Sequence, residues 1–273
     1  MAERATGWLR GCAFGCAGLL VIGVVAVLSM TLSLRSTFDQ AHAERLRLEE
    51  RLGAGQEFTP AADGTVDAGR IEAFLAVRDA LADIRTKIEA ADEKAADFER
   101  YVEEEEPSAW QALPAIARVT RSVFDLPFLF AELEQTRNQA LLEREMSLDE
   151  YIWLYVVAYN RRLGDPQERP GLFSGSPDNE RIRGVLRTML QRQLEAAKAA
   201  DEAPGWVSDL TAEVDALDRD PERLPWQDGL PVATADGLAP YRQRLDATFS
   251  APAAEFELLD SEVRHGGLNI QLK

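Results

Sequence analysis

The stretch YIWLYVVAYNRR, residues 151–162, indicates the fold most strongly, because it is apolar or aromatic around most of a helical circumference. A helix that is apolar on all sides belongs at the centre of a bundle. The preceding SLDE, residues 147–150, has the form of a capping box, in which the Ser147 hydroxyl and the Glu150 carboxylate each bind a free backbone amide. We therefore predict a buried central helix over residues 148–162.

Three tyrosines line one face of this predicted helix. Tyr151, Tyr155 and Tyr159 recur at i, i+4 spacing, which places them one above the other on the helix surface. We predict that this aromatic stripe is part of the core. The alternative is a binding face for a small molecule or a glycan, and these three tyrosines are its candidate residues.

A long amphipathic helix is predicted before the central helix. It begins near Thr65 or Asp67 and ends at about Val102. Its apolar stripe is narrow, which is typical of a helical hairpin or coiled coil that packs against its own chain. An open groove for a partner is the alternative. The residues of the stripe are Phe74, Val77, Leu81, Ile84, Ile88, Ala91, Ala95, Phe98 and Val102.

A second helical region is predicted over residues 109–145. Pro114 and Pro127 should kink or divide it, because proline lacks the amide hydrogen and clashes with the preceding turn. The apolar run VFDLPFLF, residues 123–130, is expected to be buried. Together with the stripe before it, this region favours an extended helical hairpin within the bundle.

The remaining residues predict shorter elements. One helix begins at residues 176–177, a short one spans about 208–217, and at most one more fits at about 239–248. We predict a bundle domain over residues 67–218 and an irregular, Pro-rich tail over 219–273. No alternation long enough for a β-sheet occurs, so the predicted fold class is all-α. The aromatic residues expected to pack the tail on the bundle are Trp226, Tyr241, Phe249 and Phe256.

The segment GCAFGCAGLLVIGVVAVLSMTLSL, residues 11–34, contains no charged side chain. As a helix it would be about 36 Å long, enough to cross a hydrocarbon core of about 30 Å. It is also longer than the apolar core of a cleaved signal peptide, which has about 7–15 residues. The sequence therefore predicts an uncleaved signal-anchor, that is, a single-pass transmembrane helix.

The flanks of this segment indicate its orientation. Arg10 abuts the apolar run, and long domains cross a membrane largely regardless of their charge. We expect residues 1–10 in the cytoplasm and the C-terminal domain in the periplasm or another extracytoplasmic space. Arg far outnumbers Lys, which is typical of GC-rich bacterial genomes and favours a bacterial inner membrane. Gly11 and Gly15 form a G-x-x-x-G spacing that lets two transmembrane helices pack closely, so a homodimer is one expectation.

Residues 35–66 are predicted to be a helical stalk followed by a linker. The linker is GAGQEFTPAADG, residues 53–64, whose three glycines and one proline end a helix. The stalk shows the spacing of a coiled coil, interrupted by one arginine. The residues at this spacing are Leu34, Phe38, Ala41, Arg45, Leu48 and Leu52.

The charge of the chain excludes some partners. Its net charge is −17, and residues 35–273 carry 28 basic and 46 acidic side chains, a difference of −18. Such a surface repels nucleic acid and anionic lipid headgroups. We predict no nucleic-acid partner.

Motifs for catalysis or metal binding are missing from the sequence. The two histidines, His42 and His265, are too far apart to form a zinc motif, and Glu262 with His265 supplies only half of a di-iron motif. The two cysteines lie inside the apolar segment. No nucleophile elbow, phosphate-binding loop or dinucleotide fingerprint occurs. We predict no enzyme activity, no cofactor and no metal, with a carboxylate-dependent hydrolase as the remaining enzymatic alternative.

These features together predict a membrane-anchored helical envelope protein. Its expected role is to bind or scaffold another envelope protein, because it combines an anchor with an extended helical domain and lacks catalytic motifs. The alternative function is a sensor that binds a ligand or lipid. Its cavity would lie between the aromatic helix 148–162 and the helices of residues 109–145.

Overall fold

The structure is a computed structural model, and it describes residues 39–40, 42–52, 58–105, 109–164, 178–220 and 223–258. The fold is helical, with no strand among these residues, which confirms the predicted all-α class for the described ranges. None of the helices in these ranges is long and apolar enough to cross a bilayer. The predicted transmembrane helix, with Gly11 and Gly15, lies outside the described residues.

A short helix, residues 42–52, precedes the helices of the bundle. The bundle then contains, in chain order, α1 Ala68–Ala80, α2 Ala82–Glu105, α3 Ala109–Glu143, α4 Leu148–Gly164, α5 Asp178–Ala199, α6 Pro204–Arg219, α7 Val232–Leu238, a 3-10 turn Ala239–Tyr241, α8 Arg242–Thr248 and α9 Ala251–Leu258.

Helix α4 is the central helix that the sequence predicts. All ten residues from 151 to 160 are buried. The Ser147 hydroxyl caps the helix by accepting a hydrogen bond of 3.1 Å from the Glu150 amide, as predicted. The other half of the predicted capping box is wrong. The Glu150 carboxylate instead accepts two hydrogen bonds of 2.6 Å from the guanidinium of Arg70, a charged bidentate pair that is stronger than a bond to an amide.

The predicted long helix is divided into α1 and α2 at Leu81. The Leu81 amide donates to the carbonyl oxygens of Val77 and Arg78, and the Arg85 guanidinium also donates to the Arg78 carbonyl. The backbone turns there without changing the phase of the apolar stripe. Six stripe residues are therefore still buried, as predicted: Phe74, Val77, Leu81, Ile84, Ile88 and Ala91.

Helices α2 and α3 pack against each other as the hairpin that the sequence favours, and a Lys87–Glu132 ion pair of 2.8 Å joins their surfaces. The prediction that prolines would divide the second helical region is wrong, because α3 is one helix of 35 residues through both Pro114 and Pro127. Each proline removes only one amide donor, and packing along the rest of the helix outweighs that loss. From the predicted apolar cluster, residues 126–129 are half-buried and Phe130 is buried.

The helix before the bundle does not stand away from it. Leu48 is 3% exposed and belongs to the core, and Arg45 is 7% exposed. Leu52 also packs against the core. The part of the predicted coiled-coil seam that the structure describes thus faces the protein's own bundle.

The second half of the predicted linker is fixed to the bundle as well. The Gln193 side chain donates to the Ala61 carbonyl at 2.7 Å, and the Trp206 indole donates to the Ala62 carbonyl at 2.6 Å. Gly64 has a φ of +74°, and a Cβ at this position would lie 2.9 Å from the Trp206 ring. Glycine therefore meets both a backbone and a packing requirement here.

The C-terminal residues are more helical than predicted. The sequence allows at most one short helix after residue 219, whereas the structure contains α7, α8 and α9 in this part. The four aromatic residues of the predicted tail pack on the bundle: Trp226 and Phe256 are buried, and Tyr241 and Phe249 pack against the core. Helix α6 begins at Pro204, earlier than predicted, because proline at the first helical position loses no hydrogen bond.

Candidate functional site

A buried group of charged and aromatic side chains lies where α1, α4 and α9 meet. Arg78 of α1 forms an ion pair with Glu257 of α9, and both side chains are fully buried. Tyr151, Tyr155 and Tyr159 of α4 surround this pair. We call these five residues the Arg78 cluster.

Hydrogen bonds connect the cluster to the end of α8 and to α9. The Tyr151 hydroxyl donates to Glu257 Oε2 at 2.7 Å, and Arg78 donates to the Tyr151 oxygen at 3.3 Å. Arg78 also donates to the Thr248 carbonyl. The hydroxyls of Tyr159 and Thr248 lie 2.8 Å apart. The cluster therefore ties α1 and α4 to the C-terminal helices.

Aromatic rings form the walls of the cluster. The Arg78 guanidinium carbon lies 4.9 Å from the Tyr155 ring centre and 5.3 Å from that of Tyr159. These distances are typical of a cation–π contact, in which the negative face of the ring attracts the cation. Phe74, one turn before Arg78, has ring-centre distances of 5.2, 6.4 and 6.3 Å to the three tyrosines in order.

Helix α3 supports the cluster from another side. Arg137 is fully buried and donates to the Glu257 carbonyl at 2.7 Å. Glu257 of α9 is therefore bound to α3 through its backbone carbonyl and to α1 through its side-chain carboxylate. The Phe130 and Phe256 rings lie 6.0 Å apart beside this contact. The position of Glu257 is therefore set by contacts from both α1 and α3.

Burial keeps Tyr151 and Tyr155 of the cluster neutral. Burial raises the pKa of the Tyr155 and Tyr151 hydroxyls above their ordinary value. Burial, together with the nearby charge of Arg78, lowers the pKa of Arg85. Near neutral pH Tyr151 is therefore neutral and donates to Glu257, and Tyr155 is neutral and contributes its ring to the cluster.

Some polar atoms of this region are not satisfied by the protein. Among the described residues, Arg78 Nε, the Tyr155 hydroxyl, Ser250 Oγ and Glu257 Oε1 are buried without a hydrogen-bond partner. A buried polar group without a partner costs on the order of 1–3 kcal/mol. The aromatic packing around the cluster has to offset this cost.

The structure places the predicted candidate residues inside the protein. Tyr151, Tyr155 and Tyr159 are only 0–2% exposed, which confirms that the stripe is core. A ligand would have to open the interior to reach them, and their role as a binding face stays a prediction. Arg78 and Glu257 were not singled out from the sequence, although each is a charged residue set among apolar neighbours.

One groove among the described residues lies away from the cluster. It has a volume of about 510 Å³, is open to solvent, and lies between the start of α2 and the facing part of α3. Asp83, Lys87, Glu132 and Thr136 supply its polar lining. In the part of the chain that the structure describes, no group of three or more His, Cys, Asp or Glu side chains is placed to hold a metal ion.

A second buried charge lies at the start of α4. Asp149 is 7% exposed, and burial raises its pKa to about 6. The charges of Arg192 on α5 and Arg45 on the helix before the bundle act in the opposite direction. The effect of burial is larger than the attraction of the two arginines, so the folded protein disfavours the ionised form of Asp149.

We expect Asp149→Asn to stabilise the bundle at neutral pH. The folded pKa of about 6 exceeds the ordinary 3.8, so the folded state binds the proton more tightly, and stability falls as the pH rises from about 4 to about 6. The substitution should raise the free energy of unfolding at pH 7 by about 1–2 kcal/mol and flatten its dependence on pH in that window. Melting temperatures at pH 4, 5, 6 and 7 would show this.

The control for this experiment is Asp209→Asn, which makes the same change of charge at an exposed position. It should shift all four melting temperatures alike. A lower melting temperature of Asp149→Asn at pH 7 would mean that the attraction of Arg192 and Arg45 outweighs burial.

The arrangement as a whole is suited to fixing helices rather than to chemistry at an open surface. The paired charges of the Arg78 cluster lie away from solvent, and the hydroxyls of Tyr151 and Tyr155 keep their protons. No protein-family model, curated protein or solved structure matches the chain.

Proposed function

We propose that this chain is a membrane-anchored helical module of the bacterial envelope, which binds another protein through the α2–α3 hairpin. One observation supports this most directly: the hairpin continues past the core. Ala91 is the last buried residue of α2 among the side chains that the structure describes, and the helix runs on to Glu105. Fourteen further residues extend the helix by about 21 Å.

The chemistry of this extension is suited to a protein partner. Phe98 and Tyr101 are half-buried, and the side chains around them are mostly exposed. Tyrosine is one of the residue types that often supply much of the binding energy in protein interfaces. Residues 89–105 also contain eight acidic and two basic residues. The partner should therefore offer an apolar patch with a basic rim, because charge complementarity speeds association and selects partners.

The anchor is the second part of this proposal. It rests on the 24 uncharged residues from 11 to 34, whose length is sufficient for one crossing. An anchored domain meets its partners at the membrane, where both are concentrated. The bundle is placed outside the cytoplasm because Arg10 abuts the apolar run and long domains cross a membrane largely regardless of charge.

We expect a photo-crosslinking amino acid at position 98 of the full-length chain to form one major adduct in native membranes. The same amino acid at position 232 should not form this adduct, because Val232 lies in α7 and not on the hairpin. Val232 is a fair control because its side chain is 77% exposed and can be reached by other proteins. Tyr101→Ala should reduce the adduct several-fold. Raising the salt from about 0.05 to about 0.5 M should reduce it further, because the acidic flank is then screened.

Two outcomes would overturn the proposal. The first is an equal set of adducts from positions 98 and 232, which would show non-specific contact. The second is an adduct that does not change with Tyr101→Ala or with salt. The melting temperature of Tyr101→Ala serves as the control for folding, and carbonate washing of the membranes tests the anchor separately.

A further inference from the structure

The helix of residues 42–52 has two distinct faces. Leu48 and Arg45 face the bundle and are almost fully buried, whereas Leu46 is 50% exposed. Leu46 and Leu48 are the same residue type two positions apart, so the difference in burial reflects docking of one face. Leu48 is part of the same core cluster as the residues of α1 and α4.

Charged contacts place this helix across the start of α4. Arg51 lies 3.6 Å from the carboxylate of Glu145, which immediately precedes α4. Arg45 acts electrostatically on Asp149 in the first turn of α4 and also bonds Glu49 of its own helix at 2.8 Å. The helix of residues 42–52 therefore contacts the start of α4 through Arg51 and lies close to it at Arg45.

The position of this helix limits the distance between the bundle and the predicted anchor. From Leu34 to Asp39 the chain has five residue steps, which span at most about 18 Å. The six further steps to Arg45, which lies against the bundle, add about 9 Å at the helical rise of about 1.5 Å per residue. If the helix were free, the extended linker from residue 52 to residue 58 would bring the maximum reach to about 59 Å, so docking reduces it to about 27 Å.

We propose that the helix of residues 42–52 docks on its own bundle, holds the bundle close to the membrane surface, and keeps Arg45, Leu48 and Leu52 from a coiled coil with a second copy. This inference rests on the anchor in the proposed function. It deepens that function, because the hairpin then starts from a fixed height above the bilayer. A homodimer would have to form through other surfaces, since Leu48 and Arg45 are used within one chain.

The experiment uses the full-length chain in vesicles of phosphatidylethanolamine and phosphatidylglycerol, with Cys12 and Cys16 replaced by serine. A short bis-maleimide should link Arg51→Cys to Glu145→Cys within one chain. Little stability is lost with this pair, because both side chains are exposed. The pair Leu46→Cys and Glu145→Cys should not be linked, because Leu46 lies on the other face.

Adding Leu48→Asp should reduce the intramolecular link at least five-fold, and Leu46→Asp should leave it unchanged. Energy transfer from a dye at Arg144→Cys, an exposed position, to dye-labelled headgroups should fall with Leu48→Asp and stay constant with Leu46→Asp. Circular dichroism shows whether Leu48→Asp still folds. If it does not, the links formed by the two cysteine pairs alone decide the question.

Three results would overturn the inference: no intramolecular link between positions 51 and 145, a link between two chains instead, or equal links from positions 51 and 46. The experiment distinguishes these three results from a failure of the proposed anchor. A chain that does not float with the vesicles refutes the anchor, and cross-linking of the same chain in solution still tests whether the helix docks.

Discussion

Replacing Arg78 with methionine is expected to lower the free energy of unfolding by about 3–5 kcal/mol. The substitution leaves the Glu257 carboxylate buried without its cation, and both side chains are fully buried in the protein. The Tyr151 hydroxyl still donates to Glu257, but a single neutral donor does not compensate for a buried charge. Urea unfolding followed by far-UV circular dichroism would measure the loss as a lower midpoint at an unchanged slope.

A double-mutant cycle separates the ion pair from simple packing. Glu257→Leu alone should also be destabilising, because it leaves Arg78 unpaired. The double variant Arg78→Met with Glu257→Leu should lose less than the sum of the two, since no buried charge remains. Arg244→Met is the matched control: it breaks a 2.8 Å pair with Glu72 at half-exposed positions and should leave the midpoint nearly unchanged. A loss below about 1 kcal/mol for Arg78→Met would show that the pair is not the main support of α9.

The core of this fold could be predicted because its signals are local. The central helix is apolar over ten consecutive residues, and all ten are buried. The stripe from Phe74 to Ala91 keeps helical spacing, and every stripe residue in that range is buried. The spacing of apolar residues indicates which face of a helix is buried, whatever packs against that face. For that reason the fold class and the tyrosine packing were accessible from the sequence.

The helix boundaries could not be predicted to the same degree. At the division the Arg85 guanidinium donates to the Arg78 carbonyl, and the apolar spacing continues through Leu81 unchanged, so the spacing does not indicate the division. Helices α7, α8 and α9 have only seven or eight residues. Isolated helices of that length are not stable, so they form because the bundle holds them. Local sequence therefore carries little information about them.

The candidate site was hidden by sequence distance. Arg78 and Tyr151 are 73 residues apart, and Tyr151 and Glu257 are 106 apart. Arg78 alone looks like a charge at the edge of an apolar stripe, which in most helices reaches solvent. The carboxylate of Glu150 was assigned to the wrong partner for the same reason, because Arg70 lies 80 residues away. Only the fold brings such pairs together.

Phe74→Ala is expected to lower the free energy of unfolding by about 3–5 kcal/mol, through packing rather than charge. The ring is 1% exposed and contacts all three tyrosines of α4, so alanine leaves a cavity against the aromatic wall of the Arg78 cluster. Phe74→Leu should cost less, because it fills part of the same space. The measurement is again urea unfolding, together with the near-UV signal of the tyrosines, which should weaken when their packing loosens.

The control for Phe74→Ala is Val232→Ala, at a position 77% exposed, which should change the midpoint little. Combining Phe74→Ala with Arg78→Met gives the stronger test. The two side chains share the tyrosines as partners, so their effects should not add: once the rings have relaxed into the cavity, the cation–π contact of Arg78 is already weakened. Strictly additive losses would contradict this and would mean that the aromatic wall and the ion pair stabilise the bundle independently.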